Sequence, residues 1–279
     1  MKIGAIIQAR TSSTRLPKKV LKMLPYDSNI TVLQQVIKRA KKSQLINEII
    51  IATTTDAEDE QIIKYAEKED VKWFKGSREN VLERYYLAAK ESKIDQIVRI
   101  TSDCPCIDWN IIDNSIKKHI EESSDYTSNS LERTFPHGLD IEVMLFDVLK
   151  EAFTKATDNY EKEHVTPYIY RTAKDKFKIS SLRASKDLDA PDIRITLDTE
   201  EDYILLCAVY DYLYEKNQYF DAYDIVSLFN KKPWLKAING KVLQKKLPGT
   251  VEEELEEAKK LLSYQELNRV VKILESWKT

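Results

Sequence analysis

Short apolar runs alternate with amphipathic segments through the first part of the chain. The apolar runs predict strands at residues 2–7, 48–53, 71–75 and 96–101. Apolar residues at helical spacing predict helices that begin after an N-cap at Thr31 and at residues 59–69, 79–92 and 109–122. Strands that alternate with helices are typical of a parallel α/β sheet, so the sequence predicts that fold class.

The pattern becomes less regular in the centre of the chain. Residues 125–133 show no clear period. A strand-like run at 141–145 is followed by helical patterns at 147–156 and 161–171 and by an edge-like strand at 178–183. We expect this central insertion, about residues 125–185, to carry substrate specificity, because irregular segments on a regular scaffold commonly do.

Regular patterning returns towards the end of the chain. Residues 193–199 predict a short strand, and Thr199 is placed to cap a helix at 201–215. The stretch 251–277 predicts one long helix, and its apolar spacing favours packing on a domain because it is not a sustained heptad. We therefore expect a domain at residues 1–246 and a helical extension at 250–279.

The composition gives no reason to expect a nucleic-acid or membrane partner. With 279 residues, of which 42% are hydrophobic, the chain can bury a sizeable core, and its formal net charge is only −2. No apolar run approaches the roughly 20 residues of a membrane span. Three cysteines are an odd count, which argues against a disulfide scaffold. We expect a cytoplasmic protein.

A loop rich in cations and hydroxyl groups follows the first predicted strand. It contains Arg10, Arg15, Lys18 and Lys19, and residues 11–14 all carry hydroxyl groups. Cations, hydroxyls and backbone N–H groups gathered at the end of a buried strand can hold a polyphosphate. The alternative is a solvated basic turn. The loop contains no glycine, which excludes a Walker A motif and a G-x-G-x-x-G motif here.

Two aspartates follow predicted strands in the same way as this loop. Asp103 comes just after the strand at 96–101, and Asp198 lies at the end of the strand at 193–199. Because ligands of open α/β sheets bind outside the carboxyl ends of the strands, both side chains can converge on the loop. Two carboxylates with phosphate oxygens and water form a typical Mg²⁺ site. Taken singly, each aspartate has an alternative interpretation as a cap or turn residue.

The order of residues in these segments resembles a known family. The loop reads A-R-x-x-S-T-R-L-P-x-K from Ala9 to Lys19, Asp103 begins D-x-P, and Asp198 begins D-T-x-E-D. This pattern is similar to the cytidylyltransferases that activate acidic sugars, such as CMP-sialic acid synthetases and 3-deoxy-manno-octulosonate cytidylyltransferases. Segments 136–143 and 163–171 look most like the SpsF-like spore-coat polysaccharide branch. The resemblance spans about residues 1–246.

The resemblance implies a fold and an activity. The fold is a Rossmann-like nucleotide-diphospho-sugar transferase fold, with a mixed, mostly parallel sheet and a smaller central insertion. The activity is transfer of CMP from CTP to an acidic sugar or a related small hydroxyl compound. Alternatives are a nucleotidyltransferase that uses another nucleoside triphosphate on a sugar phosphate, and a catalytically silent nucleotide-binding protein.

The resemblance also implies roles for individual residues, with Mg²⁺ as cofactor and Asp103 and Asp198 as its ligands. The implied catalytic residues are Arg10, Arg15, Lys19, Asp103 and Asp198. The implied nucleotide-binding residues are Gln8, Ala9, Arg10, Ser13, Arg15, Lys19, Thr53, Asp56, Ser77, Arg84 and Asp103. The implied acceptor-binding residues are His137, Asp140, His164, Tyr168 and Arg171.

Several of these residues have structural alternatives. Asp56 and Ser77 also look like N-caps, and a helix-surface salt bridge would explain Arg84 equally well. Ser12 and Lys18 stand where the family usually has glycine, and neither has glycine's freedom at positive φ.

The remaining histidine, the cysteines and the aromatic residues suggest further expectations. We expect a structural role for His119, and packing roles for Cys104 and Cys106, which are too few for a structural zinc site. The central aromatic residues suggest a homodimer interface or, alternatively, a small satellite core: Tyr126, Phe135, Phe146, Phe153, Tyr168 and Tyr170.

Overall fold

A computed structural model describes residues 1–242 and 251–276 of the chain. The chain divides into two compact units, Met1–Gly240 and Lys241–Thr279. The boundary predicted between residues 246 and 250 lies outside the described residues. Across the described part of the chain, no helix is long and apolar enough to cross a membrane.

The first unit is built on a mixed sheet. Its described strands are β1 (Ile3–Gln8), β2 (Glu48–Thr54), β3 (Lys72–Gly76), β4 (Gln96–Thr101), β5 (Tyr126–Ser128), β6 (Glu142–Leu145) and β7 (Ile179–Ser181). Their order is β3-β2-β1-β4-β6-β5-β7. Strands β1 to β4 pair in parallel, whereas β6 pairs antiparallel with both β4 and β5. The predicted α/β fold with a mixed, mostly parallel sheet is confirmed.

Helices cover both faces of this sheet. The described helices of the first unit are α1 (Val32–Ala40), α2 (Glu60–Lys68), α3 (Val81–Glu91), α4 (Trp109–Glu121), α5 (Phe146–Lys155), α6 (Asn159–His164), α7 (Glu200–Leu213), α8 (Ala222–Lys231) and α9 (Lys236–Asn239). The N-caps predicted at Thr31 and Thr199 are confirmed, and each is part of a capping box, with Gln34 on α1 and with Asp202 on α7.

Alternation along β1 explains the two layers of core. Ala5 and Ile7 face a core that includes residues of α1, α2, α4, α7 and α8, whereas Ile6 faces a second core formed with α3 and α5. Successive side chains of a strand point to opposite faces, so an apolar run without alternation is suited to a strand covered on both sides.

The central insertion differs from its prediction in two places. Strand β5 lies in the stretch predicted to be irregular. The helix predicted at 161–171 is wrong: α6 ends at His164, and a π-helical turn at Tyr168–Thr172 follows. The break is a γ-turn at Val165, which has φ 73° and ψ −55°, and the Thr166 N–H donates to the His164 carbonyl at 2.9 Å. A β-branched residue at positive φ is strained.

The strand predicted at 193–199 is also wrong. Apart from a single bridge between His137 and Arg194, these residues form no ladder. Their backbone bonds to loops instead: Ile195 N donates to the His137 carbonyl, and Leu197 N donates to the Asp103 carbonyl, each at 2.8 Å. Gly138 permits this approach, because it has φ +114° and a Cβ there would lie 2.7 Å from the carbonyl carbon of Ile195.

In residues 251–276, the part of the second unit that the structure describes beyond residue 242, two helices stand in place of the single helix predicted at 251–277. They are α10 (Val251–Tyr264) and α11 (Asn268–Ser276), and the predicted end at Trp277 lies outside the described residues. Glu266 ends α10 in the left-handed conformation with φ 57°. The N–H groups of Glu266 and Leu267 donate to the carbonyls of Ser263 and Leu262, which is a Schellman motif with glutamate in the usual place of glycine.

The aromatic residues of the insertion pack within the first unit. Phe135 belongs to the first core, Tyr126 is fully buried in the second, and Phe146, Phe153, Tyr168 and Tyr170 pack against that second core. The two layers of core therefore account for these side chains rather than a separate satellite core, and the homodimer stays a prediction.

His119 and the two nearby cysteines are buried, as expected. The His119 Nδ1 lies 3.0 Å from the Thr127 hydroxyl, and burial lowers its pKa to about 4. Cys104 and Cys106 are buried free thiols. A packing role explains all three.

Candidate functional site

A cation lies between two carboxylates at the carboxyl ends of the strands. The Lys19 Nζ is 2.7 Å from Asp103 Oδ2 and 2.9 Å from Asp198 Oδ1. The Arg15 guanidinium reaches the same Asp198 oxygen at 3.1 Å. We call Lys19, Asp103 and Asp198 the carboxylate cluster. Sequence segments far apart in the chain meet here, as expected from their positions after β1, after β4 and before α7.

Local hydrogen bonds fold the first loop so that Lys19 points inwards. The Thr11 carbonyl accepts from the N–H groups of Ser13 and Lys18, each at 2.9 Å. The buried Asp59 carboxylate accepts from both the N–H and the hydroxyl of Thr11, at 2.8 and 2.6 Å. A 3₁₀ turn at Lys19–Leu21 then buries the Lys19 side chain. Asp59 was not predicted as a site residue; its signal in the sequence was only that of a residue at a helix start.

Electrostatics favour the charged forms of Lys19 and Asp103. Burial alone would lower the pKa of Lys19, but attraction to Asp103 and Asp198 outweighs it and raises that pKa. Burial would likewise raise the pKa of Asp103, but the Lys19 ammonium and hydrogen bonds lower it to about 2. The cluster therefore consists of two carboxyl groups with the Lys19 ammonium between them.

The donor set suits a divalent cation that arrives with a ligand. In residues 1–242 and 251–276, no group of three or more His, Cys, Asp or Glu side chains is placed to hold a metal ion. Mg²⁺ commonly binds through one or two carboxylates and completes its shell with phosphate oxygens and water. Asp103 and Asp198 converge on one point that a cation, the Lys19 ammonium, already occupies. The residues present therefore fit Mg²⁺ bound together with a phosphorylated ligand.

Arg194 bonds to Asp198, Asp202 bonds to Arg194, and the sequence analysis missed both supporting residues. The Arg194 Nη2 lies 3.0 Å from Asp198 Oδ2 and 2.9 Å from Asp202 Oδ2. Asp202 is the N3 residue of the α7 capping box. The signal available was the second aspartate of the D-T-x-E-D segment, which the resemblance left without a role.

A second polar group adjoins the carboxylate cluster through Arg194. His137 Nδ1 lies 3.2 Å from Arg194 Nη1, and His137 Nε2 lies 3.7 Å from Asp140 Oδ2. Arg133, also missed, binds both oxygens of Asp140 at 2.7 and 3.1 Å. The structure thus brings together His137 and Asp140, two of the residues predicted to bind the acceptor.

Buried polar atoms without partners lie at the ends of β1, β2 and β3. Among described residues, Ser12 Oγ, Thr53 Oγ1 and Arg84 Nε have no hydrogen-bond partner although each atom is buried. Burial, together with the nearby charge of Arg10, lowers the pKa of Arg84 to about 10. Buried polar groups are normally paired, so unpaired ones are expected where a ligand completes them. This region suits the polar part of a ligand whose phosphates reach the carboxylate cluster.

The sequence profile of one family, described as cytidylyltransferase, matches residues 4–275. The chain belongs to the cytidylyltransferase family. The match covers both the first loop and the two aspartates, which the fold has brought to one point.

Two relatives and one solved structure are similar to this chain over most of their length. The uncharacterized protein MJ1063 of Methanocaldococcus jannaschii is 38% identical over 250 residues, covering 88% of this chain and 97% of the relative. The spore coat polysaccharide biosynthesis protein SpsF of Bacillus subtilis is 32% identical over 230 residues, covering 82% and 94%. The solved structure of a cytidylyltransferase from Leptospira borgpetersenii is 31% identical with a TM-score of 0.79, covering 90% of this chain and all of that one. The resemblance to the SpsF-like branch is confirmed.

Lys18 adopts the conformation that glycine adopts freely. It has φ 56° and ψ 22°, in the left-handed region. We expect Lys18→Gly to raise the free energy of unfolding by about 0.5–1 kcal/mol, because it removes the steric cost of this conformation. The measurement is denaturant unfolding. Lys22→Gly is the matched control, since Lys22 is extended with φ −63°, and it should lower stability. If the free energy of unfolding falls equally in both variants, Lys18 is not strained.

Other predicted nucleotide-binding residues flank the cluster without touching it. Arg10 pairs with Glu163 at 3.8 Å, and Gln8 Oε1 accepts from Arg99 at 3.1 Å. The Ala9 N–H extends the sheet by donating to the Ala52 carbonyl. Ser13 helps to form the first loop through its N–H group.

Asp56 stands at the N-cap position of a 3₁₀ turn at Ala57–Asp59, as its alternative predicts, whereas the alternative for Arg84 is wrong. The Asp56 side chain makes no capping bond and pairs with Arg78 at 3.3 Å. Arg84 is only 1% exposed and donates to the Ser77 carbonyl at 2.8 Å, so it is not a surface salt bridge. Ser77 is not the N-cap of α3, because Asn80 caps that helix. The Ser77 hydroxyl instead accepts a hydrogen bond from the Asn80 N–H.

Among the described residues, no hydrogen bond or ion pair joins Tyr168 or Arg171 to the carboxylate cluster, and His164 packs on its own helix. The His164 ring packs on Tyr160 with centroids 4.7 Å apart. The Tyr168 hydroxyl faces Glu151 at 3.4 Å, on the side of α5. Arg171 is exposed. Their assignment to the acceptor stays a prediction.

Proposed function

We propose that the protein transfers CMP from CTP to a hydroxyl group of an acidic sugar or a related small anionic acceptor, with Mg²⁺ as cofactor, in glycan or surface-polymer synthesis. The single observation that carries this proposal is the placement of Lys19 between Asp103 and Asp198, beside Arg15. Membership of the cytidylyltransferase family supports the choice of nucleotide.

The reaction requires positioning and charge stabilisation more than covalent chemistry by the protein. The acceptor oxygen forms a bond to the α-phosphorus of CTP, the bond from that phosphorus to the β-phosphate oxygen breaks, and pyrophosphate leaves as the hydroxyl proton is lost. Arg15 and Lys19, which both contact the carboxylate cluster, would bind the leaving phosphates, and Arg15 could make two parallel hydrogen bonds. Both cations would stabilise the charge that develops as pyrophosphate departs.

Asp103 and Asp198 would hold Mg²⁺ in this proposal. When bound, the ion supplies charge neutralisation at the phosphates. For that, Lys19 has to release at least one carboxylate, and its long side chain allows the ammonium to turn towards a phosphate. His137 and Asp140 would orient the acceptor hydroxyl, since together they offer an N–H donor and a carboxylate acceptor.

We expect CTP with Mg²⁺ to raise the melting temperature of the protein more than ATP, GTP or UTP with Mg²⁺. The family pattern of the first loop favours cytidine, and the paired aspartates should make the shift depend on the metal ion. The measurement is a thermal-shift panel of the four nucleotides, each with Mg²⁺ and with a chelator. Equal shifts from all four nucleotides would argue against cytidylyl transfer, and the absence of any shift would argue against a nucleotide site.

A further inference from the structure

Asp202 is a buried carboxylate that the proposed chemistry does not use. Its side chain has no exposed surface. It accepts hydrogen bonds from Arg194 Nε and Nη2, from Asn239 Nδ2 and from the backbone N–H groups of Asp198 and Thr199, at 2.9 to 3.2 Å. A carboxylate offers about four lone-pair positions, and these donors fill them. Asp202 therefore has no capacity left to bind a metal ion.

What Asp202 does hold is the guanidinium of Arg194. Two donors of Arg194 bind Asp202, and the side chain of Arg194 is only 11% exposed. The arginine is thereby fixed in orientation, and its outer N–H groups point to two further residues. Nη2 reaches Asp198 Oδ2 at 3.0 Å, and Nη1 reaches His137 Nδ1 at 3.2 Å.

The contact of Arg194 with Asp198 gives the two oxygens of that carboxylate different partners. Oδ2 is bound by Arg194, whereas Oδ1 faces Lys19 and Arg15 at 2.9 and 3.1 Å. Arg194 thus sets which oxygen of Asp198 is presented to the first loop. An ammonium in place of the planar guanidinium would not span Asp198, Asp202 and His137 in this way, because it lacks the fixed fork of donors.

The contact with His137 fixes the tautomer of that imidazole. A guanidinium can only donate, so the Nδ1 of His137 must accept, and the ring proton must lie on Nε2. Burial lowers the pKa of His137, and the charges of Arg133 and Arg194 lower it further against the opposing pull of Asp140 and Asp103. His137 therefore presents an N–H towards Asp140, and its single lone pair is occupied by Arg194.

We propose that Arg194, anchored by Asp202, is a positioning residue that sets the orientation of the Asp198 carboxylate and the tautomer of His137 together. Arg194 thereby links Asp198, which would bind the metal ion, to His137, which would bind the acceptor. Those two roles come from the proposed function, on which this proposal rests. His137 is then an N–H donor to the acceptor and not a general base.

Nitrogen NMR of the wild-type protein tests the tautomer directly. The chain has three histidines, so ¹⁵N-histidine labelling gives three ring systems, and His137→Gln assigns the one of interest. We expect His137 in the Nε2–H form at pH 7. A ring protonated on Nδ1, or on both nitrogens, would overturn the proposal. Neither CTP nor metal is needed for this measurement.

Binding of Mn²⁺ in the presence of CTP, followed by electron paramagnetic resonance, tests the link. Arg194→Lys should weaken Mn²⁺ binding at least tenfold and leave His137 in mixed tautomers. His137→Leu should weaken it about threefold or more, although His137 contacts neither Asp103 nor Asp198 within hydrogen-bond distance. The matched control is Arg183→Lys, an exposed arginine paired with Glu132, which should leave Mn²⁺ binding unchanged.

The outcomes separate this inference from the proposed function. If wild-type protein does not bind Mn²⁺ with CTP, the proposed function is wrong, while the tautomer still tests the role of Arg194. If wild-type protein binds and both Arg194→Lys and His137→Leu bind equally well, the link through Arg194 is wrong. If Arg194→Lys does not fold, Mn²⁺ binding by His137→Leu and the tautomer of His137 in the wild-type protein still test the role of Arg194.

Discussion

Asp198→Asn should lower the rate of pyrophosphate release from CTP about a thousandfold while the protein remains folded. The change is isosteric and removes one of the two charges that would hold Mg²⁺, and metal-ion stabilisation of a phosphoryl transition state amounts to several kcal/mol. Asparagine keeps the shape of the side chain and one acceptor oxygen, which can accept from Arg15 or from Arg194 but not from both. The assay supplies CTP, Mg²⁺ and a panel of acidic sugars, and it measures the pyrophosphate that is released.

Raising the Mg²⁺ concentration should recover part of this lost rate, because the remaining Asp103 still offers one charged ligand. Asp192→Asn is the matched control: it makes the same change six residues earlier, at an exposed carboxylate paired with Lys236 at 2.5 Å. Exposed pairs contribute about 0–1 kcal/mol, so this control should keep both activity and stability. If Asp198→Asn releases pyrophosphate at the wild-type rate, Asp198 serves only to support the start of α7.

The carboxylate cluster was predictable because it depends on sheet topology alone. Asp103 and Lys19 each follow a parallel strand, and such strands end at the same edge of a sheet. Asp198 was placed there for a partly wrong reason, since no strand precedes it. Its segment reaches the edge through backbone bonds to the Asp103 and His137 carbonyls.

The supporting residues were not predictable in the same way. Arg194 acquires its role from a side-chain fork that joins Asp198, Asp202 and His137. These partners lie up to 57 residues from Arg194 in the sequence, and no periodicity indicates such contacts. Asp202 was visible in the D-T-x-E-D segment, but the same letters describe a capping box, which is also present.

The failed helix at 161–171 shows a local limit of periodicity. Val165 keeps the apolar spacing of a helix, yet it adopts φ 73°, and the next residue, Thr166, is held by a hydrogen bond to Glu142 of β6. The Thr166 hydroxyl donates to Glu142 at 2.7 Å, and Glu142 also accepts from Tyr126 and pairs with the Arg99 that binds Gln8. A buried network of this kind overrides local preference, and only the pairing of β4 with β6 reveals it.

Lys19→Met should abolish turnover and yet strengthen binding of Mg²⁺ to the nucleotide-free protein at least tenfold. In the wild-type protein the Lys19 ammonium lies between Asp103 and Asp198, where it competes with a metal ion for the same oxygens. Without it, the two carboxylates repel each other, and the ordinary burial penalty on Asp103 is no longer offset. We therefore expect the free energy of unfolding in chelator to fall by about 1–3 kcal/mol, the range for leaving a buried polar group unpaired.

Added Mg²⁺ should then restore the stability of Lys19→Met, whereas it should change that of the wild-type protein little in the absence of nucleotide. Calorimetric titration with Mg²⁺ and denaturant unfolding measure the two effects. Lys22→Met is the matched control, because it removes the same charge three residues later, from a pair with the exposed Glu200 at 3.4 Å. It should show neither effect. If Mg²⁺ stabilises wild-type and Lys19→Met protein equally, the ammonium does not occupy the position of the cation, and Asp103 and Asp198 bind metal elsewhere or not at all.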